Sequence, residues 1–145
     1  EFQNAVDQLK TECPHLAGKV VLTGNISDRK QLYELDNDAK RFCLPSRWES
    51  WGLVCTEALY FGCALIMTRE VISADDLTNF GEAGVLAGTE NSGEWAAVLQ
   101  GLVSDPKLGE FYSMKGRDHF ATHFAWPDTL ELLVKHFPSN SSPAL

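Results

Sequence analysis

Two glutamates eight positions apart, Glu49 and Glu57, flank a glycine in the stretch SRWESWGLVCTEALYFG, residues 46–62. An apolar run from Arg41 to Leu44 stops at Pro45, and a polar loop holding Trp48 and Trp51 follows. The pattern turns helical at Gly52 and closes at Gly62, a residue suited to the left-handed turn just past a helix. A helix start leaves backbone N–H groups unpaired, here those of Gly52, Leu53 and Val54, and the helix dipole adds partial positive charge. Together they suit an anion, with a diphosphate as the natural guest. Gly52 would let such a ligand approach the backbone closely. Glu57, one turn further on, would repel the anion but suits a ribose diol, which offers two donors to one carboxylate. Glu49 would hold hydroxyls on the other side of the diphosphate. A phosphate group at the glycine with hydroxyl-bearing rings on both sides describes a nucleotide sugar. Against this stands a plainer reading, in which Glu57 complements the helix dipole and Glu49 is solvated.

The elements that must position these residues alternate along the chain. Residues 2–12 read as a helix ended by Pro14, and Lys19 to Thr23 (KVVLT) as a short buried strand closed by Gly24. Ser27 reads as the N-cap of a helix over about 28–36, with Asp28 in its first turn and Asp36-Asn37-Asp38 as the loop that ends it. Arg41 to Leu44 is the second strand and Ala64 to Met67 the third. Ser73 and Asp76 read as a capping box for a helix ending near Gly81, and Gly84 to Ala87 as a fourth strand. Asn91 and Glu94 form a second capping box, for a helix to about Val103, and Asp105-Pro106 opens the next. Trp126-Pro127 begins a last helix to about Phe137, and Pro138 to Leu145 is a frayed tail. Strand and helix in alternation with short links give the α/β class, a parallel sheet with helices on both faces. Ligands bind such sheets beyond the carboxyl ends of the strands, where residues 45–51 fall.

Composition narrows the classes of partner. Twelve Lys and Arg against 20 Asp and Glu leave the 145 residues with a formal charge of −8. That argues against a nucleic-acid footprint or a polybasic membrane surface, though not against one small anion. No apolar run approaches the length of a membrane span. The four cysteines (Cys13, Cys43, Cys55, Cys63) show neither CxxC pairing nor zinc-finger spacing, so free thiols in a reducing, cytoplasmic compartment are expected. His119 and His123 lie four apart on an expected helix without an HExxH pattern and read as part of its polar face, so no metal is expected. Ser46 has no His and Asp partners that would make a triad. Trp48 and Trp51 suit stacking on a base or sugar as well as packing under the loop, and Arg47 reads as solvent-exposed.

PSRWESWGLVCTEALYFGCALI resembles the signature of the retaining group 1 (family 4) glycosyltransferases of the GT-B fold, through Pro45, Ser46, Glu49, Gly52, Leu53, Glu57, Ala58 and Gly62. VVLTG with QLYEL, FGEAGVLA, and FAW before a helix resemble the family's flanking segments, so that the likeness spans roughly residues 16–137. The resemblance implies a Rossmann-like C-terminal half of a GT-B fold. Glu57 would hold the ribose, Gly52, Leu53 and Val54 the diphosphate, Glu49 the transferred sugar near the reacting centre, and Gly24 and Asn25 would lie near the base. The implied enzyme moves a sugar from a nucleotide diphosphate sugar to an acceptor hydroxyl, retains anomeric configuration and needs no metal or other cofactor.

Trp51 stands where the family usually has an aromatic such as Phe. The family's Arg and Lys clamp for the diphosphate has no match before Val20, since Lys10 and Lys19 lack its context. The acceptor-binding N-terminal domain has no counterpart either. Residues 1–137 are therefore expected to be a partial donor-nucleotide-binding domain, truncated at its N-terminus and inactive alone, with 138–145 a disordered tail. Its parent is expected in the cytoplasm, with room for peripheral attachment at the inner membrane face. The expected partners are the donor and an acceptor glycan or other hydroxyl compound, with no nucleic acid. Two alternatives remain open: a degenerate, non-catalytic interaction module, and a sugar-nucleotide epimerase built on the same two-lobed fold.

Overall fold

A computed structural model describes residues 2–125, which divide between Leu32 and Tyr33 into two compact units. In the first, α1 (Phe2–Glu12) carries Gln3–Asp7 and Gln8–Glu12 side-chain hydrogen bonds at four-residue spacing, of 2.9 and 2.7 Å. A 3-10 turn, Pro14–Leu16, follows at the expected proline. The strand expected at Lys19–Thr23 is absent. A strand draws its stability from a hydrogen-bonded neighbour, and among the described residues none pairs with this run; Val21 is 76% exposed. β-Branched composition is insufficient without a partner edge.

The helix α2 (Arg29–Asp38) begins at Asp28, whose carboxylate accepts from the Lys30 N–H at 2.9 Å. Asp28 therefore caps this helix in place of Ser27, and its charge also complements the dipole. The helix runs through Asp36-Asn37-Asp38, which were expected as the loop beyond it.

Among the described residues the second unit is built on three parallel strands in the order β1 (Arg41–Leu44), β2 (Ala64–Thr68), β3 (Gly84–Ala87). Arg41 pairs with Ala64, and Leu65 with Gly84, which sets the register of both ladders. All five residues of the central strand β2 are fully buried, so both of its faces are covered. On one face Leu65 and Met67 join Cys55 and Leu59 of α3 (Leu53–Phe61) and Leu77 of α4 (Ala74–Thr78) in the core cluster. Cys55, Ala58 and Leu59 recur at helical spacing, which is why α3 turns that stripe inward. The helices α5 (Ser92–Ser104) and α6 (Pro106–His123) follow β3, with Phe120 of α6 packed on the same core.

Two of the expected helix starts form, the first with only half of its expected capping box, since the Glu94 carboxylate bonds Arg69 and Gly88 and not the Asn91 N–H. Asn91 accepts from the Glu94 N–H at 3.0 Å, and Asp105 accepts from Lys107 and Leu108 ahead of Pro106. At α4 the expected capping box fails, because the Ser73 hydroxyl bonds elsewhere. The α3 stop is as expected: Gly62 adopts φ 78°, and the Cys63 N–H reaches the Ala58 carbonyl at 2.9 Å. A Cβ at Gly62 would collide with the Arg117 guanidinium, which donates to the Phe61 carbonyl. The helix expected over 127–137 and the tail 138–145 lie outside the described residues.

Candidate functional site

The loop from Pro45 to Gly52 leaves the carboxyl end of β1 and delivers the chain into α3. Gly52, at φ 77° and ψ 62°, supplies a left-handed turn that an L-residue enters only under strain. The Cys55 N–H closes at once on the Gly52 carbonyl at 2.8 Å. The N–H groups of Gly52, Leu53 and Val54 take no partner among the described residues. Three donors thus stand at the positive end of a nine-residue helix.

Glu49 folds back on this turn. Its Cγ lies 3.4 Å from where a Gly52 Cβ would sit, as does Cδ2 of Leu44, and its carboxylate accepts from the Ser50 N–H at 3.0 Å. The Cys55 thiol is pushed up to about 12, first by burial and then by the Glu49 charge, which places that charge beside the helix start. Glu57 lies one turn along α3, half-buried, and its carboxylate has no hydrogen-bond partner among the described residues. It lines a cleft of about 790 Å³ together with Trp51, Leu53, Thr56, Tyr60 and Phe124. The structure therefore gathers Glu49, Gly52, Leu53, Val54 and Glu57 around one helix entrance, with only Leu53 and Glu57 of these on the cleft wall. Gly24 (φ 64°) and Asn25 belong to the first unit, in a stretch without regular structure, and remain expectations.

The aromatic residues divide. Trp48 is 77% exposed, whereas Trp51 meets Phe124 edge-on with ring centroids 6.0 Å apart. Arg47 stands 3.5 Å from Glu90 with both side chains mostly in solvent, a pair of little energetic weight. His119 and His123 place their rings 4.6 Å apart, with the His119 Nε2 engaged at 2.6 Å by the Asp76 carbonyl. Among the described residues no group of three or more His, Cys, Asp or Glu is arranged to hold a metal, and no helix is long and apolar enough to cross a membrane.

Three sets of long-range contacts escaped the sequence reading. Ser73, at the start of α4, donates its hydroxyl to the Trp51 carbonyl at 2.5 Å and so ties the loop from behind. Arg69, just past β2, bonds Glu94 at 2.6 Å, and the other Glu94 oxygen accepts from the Gly88 N–H at 2.9 Å. Glu70 accepts from both the N–H and the hydroxyl of Thr89. These contacts lace the loop after β2 to the loop after β3. Ser73 and Glu94 each gave a sequence signal, as half of a capping box, but the Ser73 hydroxyl serves Trp51 and the Glu94 carboxylate serves Arg69 and Gly88 instead.

The chain matches the family described as "Glycosyl transferases group 1" over residues 3–119. Among curated proteins it is similar to the D-inositol 3-phosphate glycosyltransferase of Rhodococcus opacus (strain B4), 32% identical over 94 residues, 65% of this chain and 21% of that protein. The enzyme of the same name from Jonesia denitrificans is 32% identical over 103 residues, covering 71% of this chain and 24% of the relative. The chain thus spans between a fifth and a quarter of the length of these relatives. Among solved structures it superposes on the C-terminal domain of a glycosyl transferase group 1 family protein (LpcC) from Francisella tularensis with a TM-score of 0.76 at 24% identity, covering 86% of this chain and 63% of that one. Sucrose-phosphate synthase from Thermosynechococcus elongatus gives 0.74 at 23% identity, over 92% of this chain and 34% of that one. At these identities the two structures bear on the fold alone.

Proposed function

Since this chain belongs to the group 1 glycosyl transferases, we propose that its second unit binds the nucleotide sugar donor of a retaining glycosyltransferase. The observation that carries the reading is the helix entrance itself: unpaired N–H groups at Gly52, Leu53 and Val54, with one carboxylate on each side. The diphosphate sits on those donors, where the helix dipole offsets its charge. Glu57 accepts from the ribose hydroxyls and Glu49 from hydroxyls of the transferred sugar. The acceptor oxygen bonds to the anomeric carbon on the same face from which the bond to the diphosphate breaks, which keeps the configuration, and the acceptor proton passes to the departing diphosphate oxygen. The chain's contribution is to hold the departing diphosphate, whose negative charge grows as the bond breaks, against fixed dipoles. The D-inositol 3-phosphate glycosyltransferases are consistent with an acceptor hydroxyl on a polyol or glycan.

Calorimetric titration of the chain with UDP, GDP and ADP, beside a Glu57→Ala variant, tests this. One nucleotide is expected to bind saturably, with a loss of about tenfold or more in the variant, as for a charged acceptor removed from two hydroxyl donors. Binding unaffected by the variant would overturn the role given to Glu57. No binding by any of the three would favour a non-catalytic interaction module.

A further inference from the structure

We propose that Ser73 is a positioning residue for the diphosphate site, its hydroxyl fixing the peptide that aims the first of the three N–H donors. The inference rests on the nucleotide reading above. A serine at the start of a helix ordinarily turns its oxygen onto the N–H of the second or third helical residue. Ser73 makes no such bond at α4, and its backbone, at φ −88° and ψ 7°, is not the extended form of a capping residue. Its hydroxyl donates instead to the Trp51 carbonyl, 22 residues earlier in the chain. The helix start forgoes its cap in favour of a long-range tether.

The tethered carbonyl belongs to the same planar unit as the Gly52 N–H. A trans peptide directs its C=O and N–H to opposite sides, so holding the Trp51 oxygen from behind turns the Gly52 N–H away from α4. The anchor itself is rigid. Ser73 is 1% exposed, Ala74 and Leu77 beside it are buried, and the Thr78 hydroxyl donates to Ala74 and accepts from Gly81 at the far end of the helix. The Trp51 ring is braced separately by Phe124. With backbone and ring both held, a left-handed glycine that would otherwise sample many conformations presents one.

The tether is expected to matter to the diphosphate and not to the nucleoside. Ser73→Ala and Thr78→Ala separate this role from stability, since each removes one buried hydroxyl from α4 but only Ser73 touches the loop. Titration by nuclear magnetic resonance would use the nucleoside diphosphate bound by the wild type and its parent nucleoside. Amide hydrogen exchange at Cys55 would be followed without ligand. In Ser73→Ala the Cys55 amide is expected to exchange faster and diphosphate affinity to fall about fivefold, with nucleoside affinity unchanged. Thr78→Ala is expected to match the wild type in all three. Unchanged exchange at Cys55, equal losses in both variants, or equal losses for diphosphate and nucleoside would each overturn the proposal. A wild-type chain that binds no nucleoside diphosphate would sink the nucleotide reading and with it this role, while the exchange comparison would still read the tether alone.

Discussion

Gly52 is required by its left-handed backbone at φ 77°; an added Cβ would meet Glu49, Leu44 and Cys55 at ordinary contact distances of 3.4–3.5 Å. Gly52→Ala therefore meets backbone strain of about 1–2 kcal/mol. The expected result is a lowered thermal midpoint together with a loss of nucleotide affinity. A variant as stable as the wild type would contradict the strained turn. The placement of Glu49 and Glu57 about one helix start was legible because both lie close in sequence to the glycine that opens it. Ser73 was not: a serine three residues before Asp76 looks the same whether it caps its own helix or reaches 22 residues back. Hydrogen-bond partners that distant in sequence leave no local pattern.

The strands and helices of the second unit were readable from hydrophobic spacing, Gly62 and the caps at Asn91 and Asp105, because those signals are local. KVVLT failed because a strand is a property of two segments, and its sequence describes only one. The lacing between the strand ends likewise depends on tertiary placement. It should also respond to pH. The Glu94 carboxyl is held below its ordinary range, chiefly by the hydrogen bond from Arg69 and then by the Gly88 N–H, and Glu70 is held low chiefly by Thr89. A carboxyl lowered in the folded chain stabilises it above the unfolded value, and that contribution is lost as pH falls through the folded one. The thermal midpoint is therefore expected to fall below about pH 4, and to fall less steeply in Glu94→Gln. Parallel curves for the two proteins would show that the Arg69–Glu94 contact contributes nothing.

At the scale of the molecule, an acidic α/β chain of one family frames a site whose details come from two loops and one helix. The cysteines test that packing as a whole. Cys55 and Cys63 are fully buried and their thiols are raised, Cys55 to about 12; Cys43 is exposed, though desolvation raises its thiol as well, and Cys13 is half-buried. A disulfide-exchange reagent at pH 8 is expected to react with two thiols of the native chain and with all four only in denaturant. Prompt reaction of three or four would contradict the buried core around α3.

The site's central claim is that a diphosphate rests on the N–H groups that open α3. A nitrogen–proton correlation spectrum of the labelled chain, recorded while the bound nucleoside diphosphate is added, reads those groups one by one. The largest shifts are expected at the amides of Gly52, Leu53 and Val54, and they should be much smaller with the nucleoside alone. Binding that leaves these three amides in place while moving others would contradict the account.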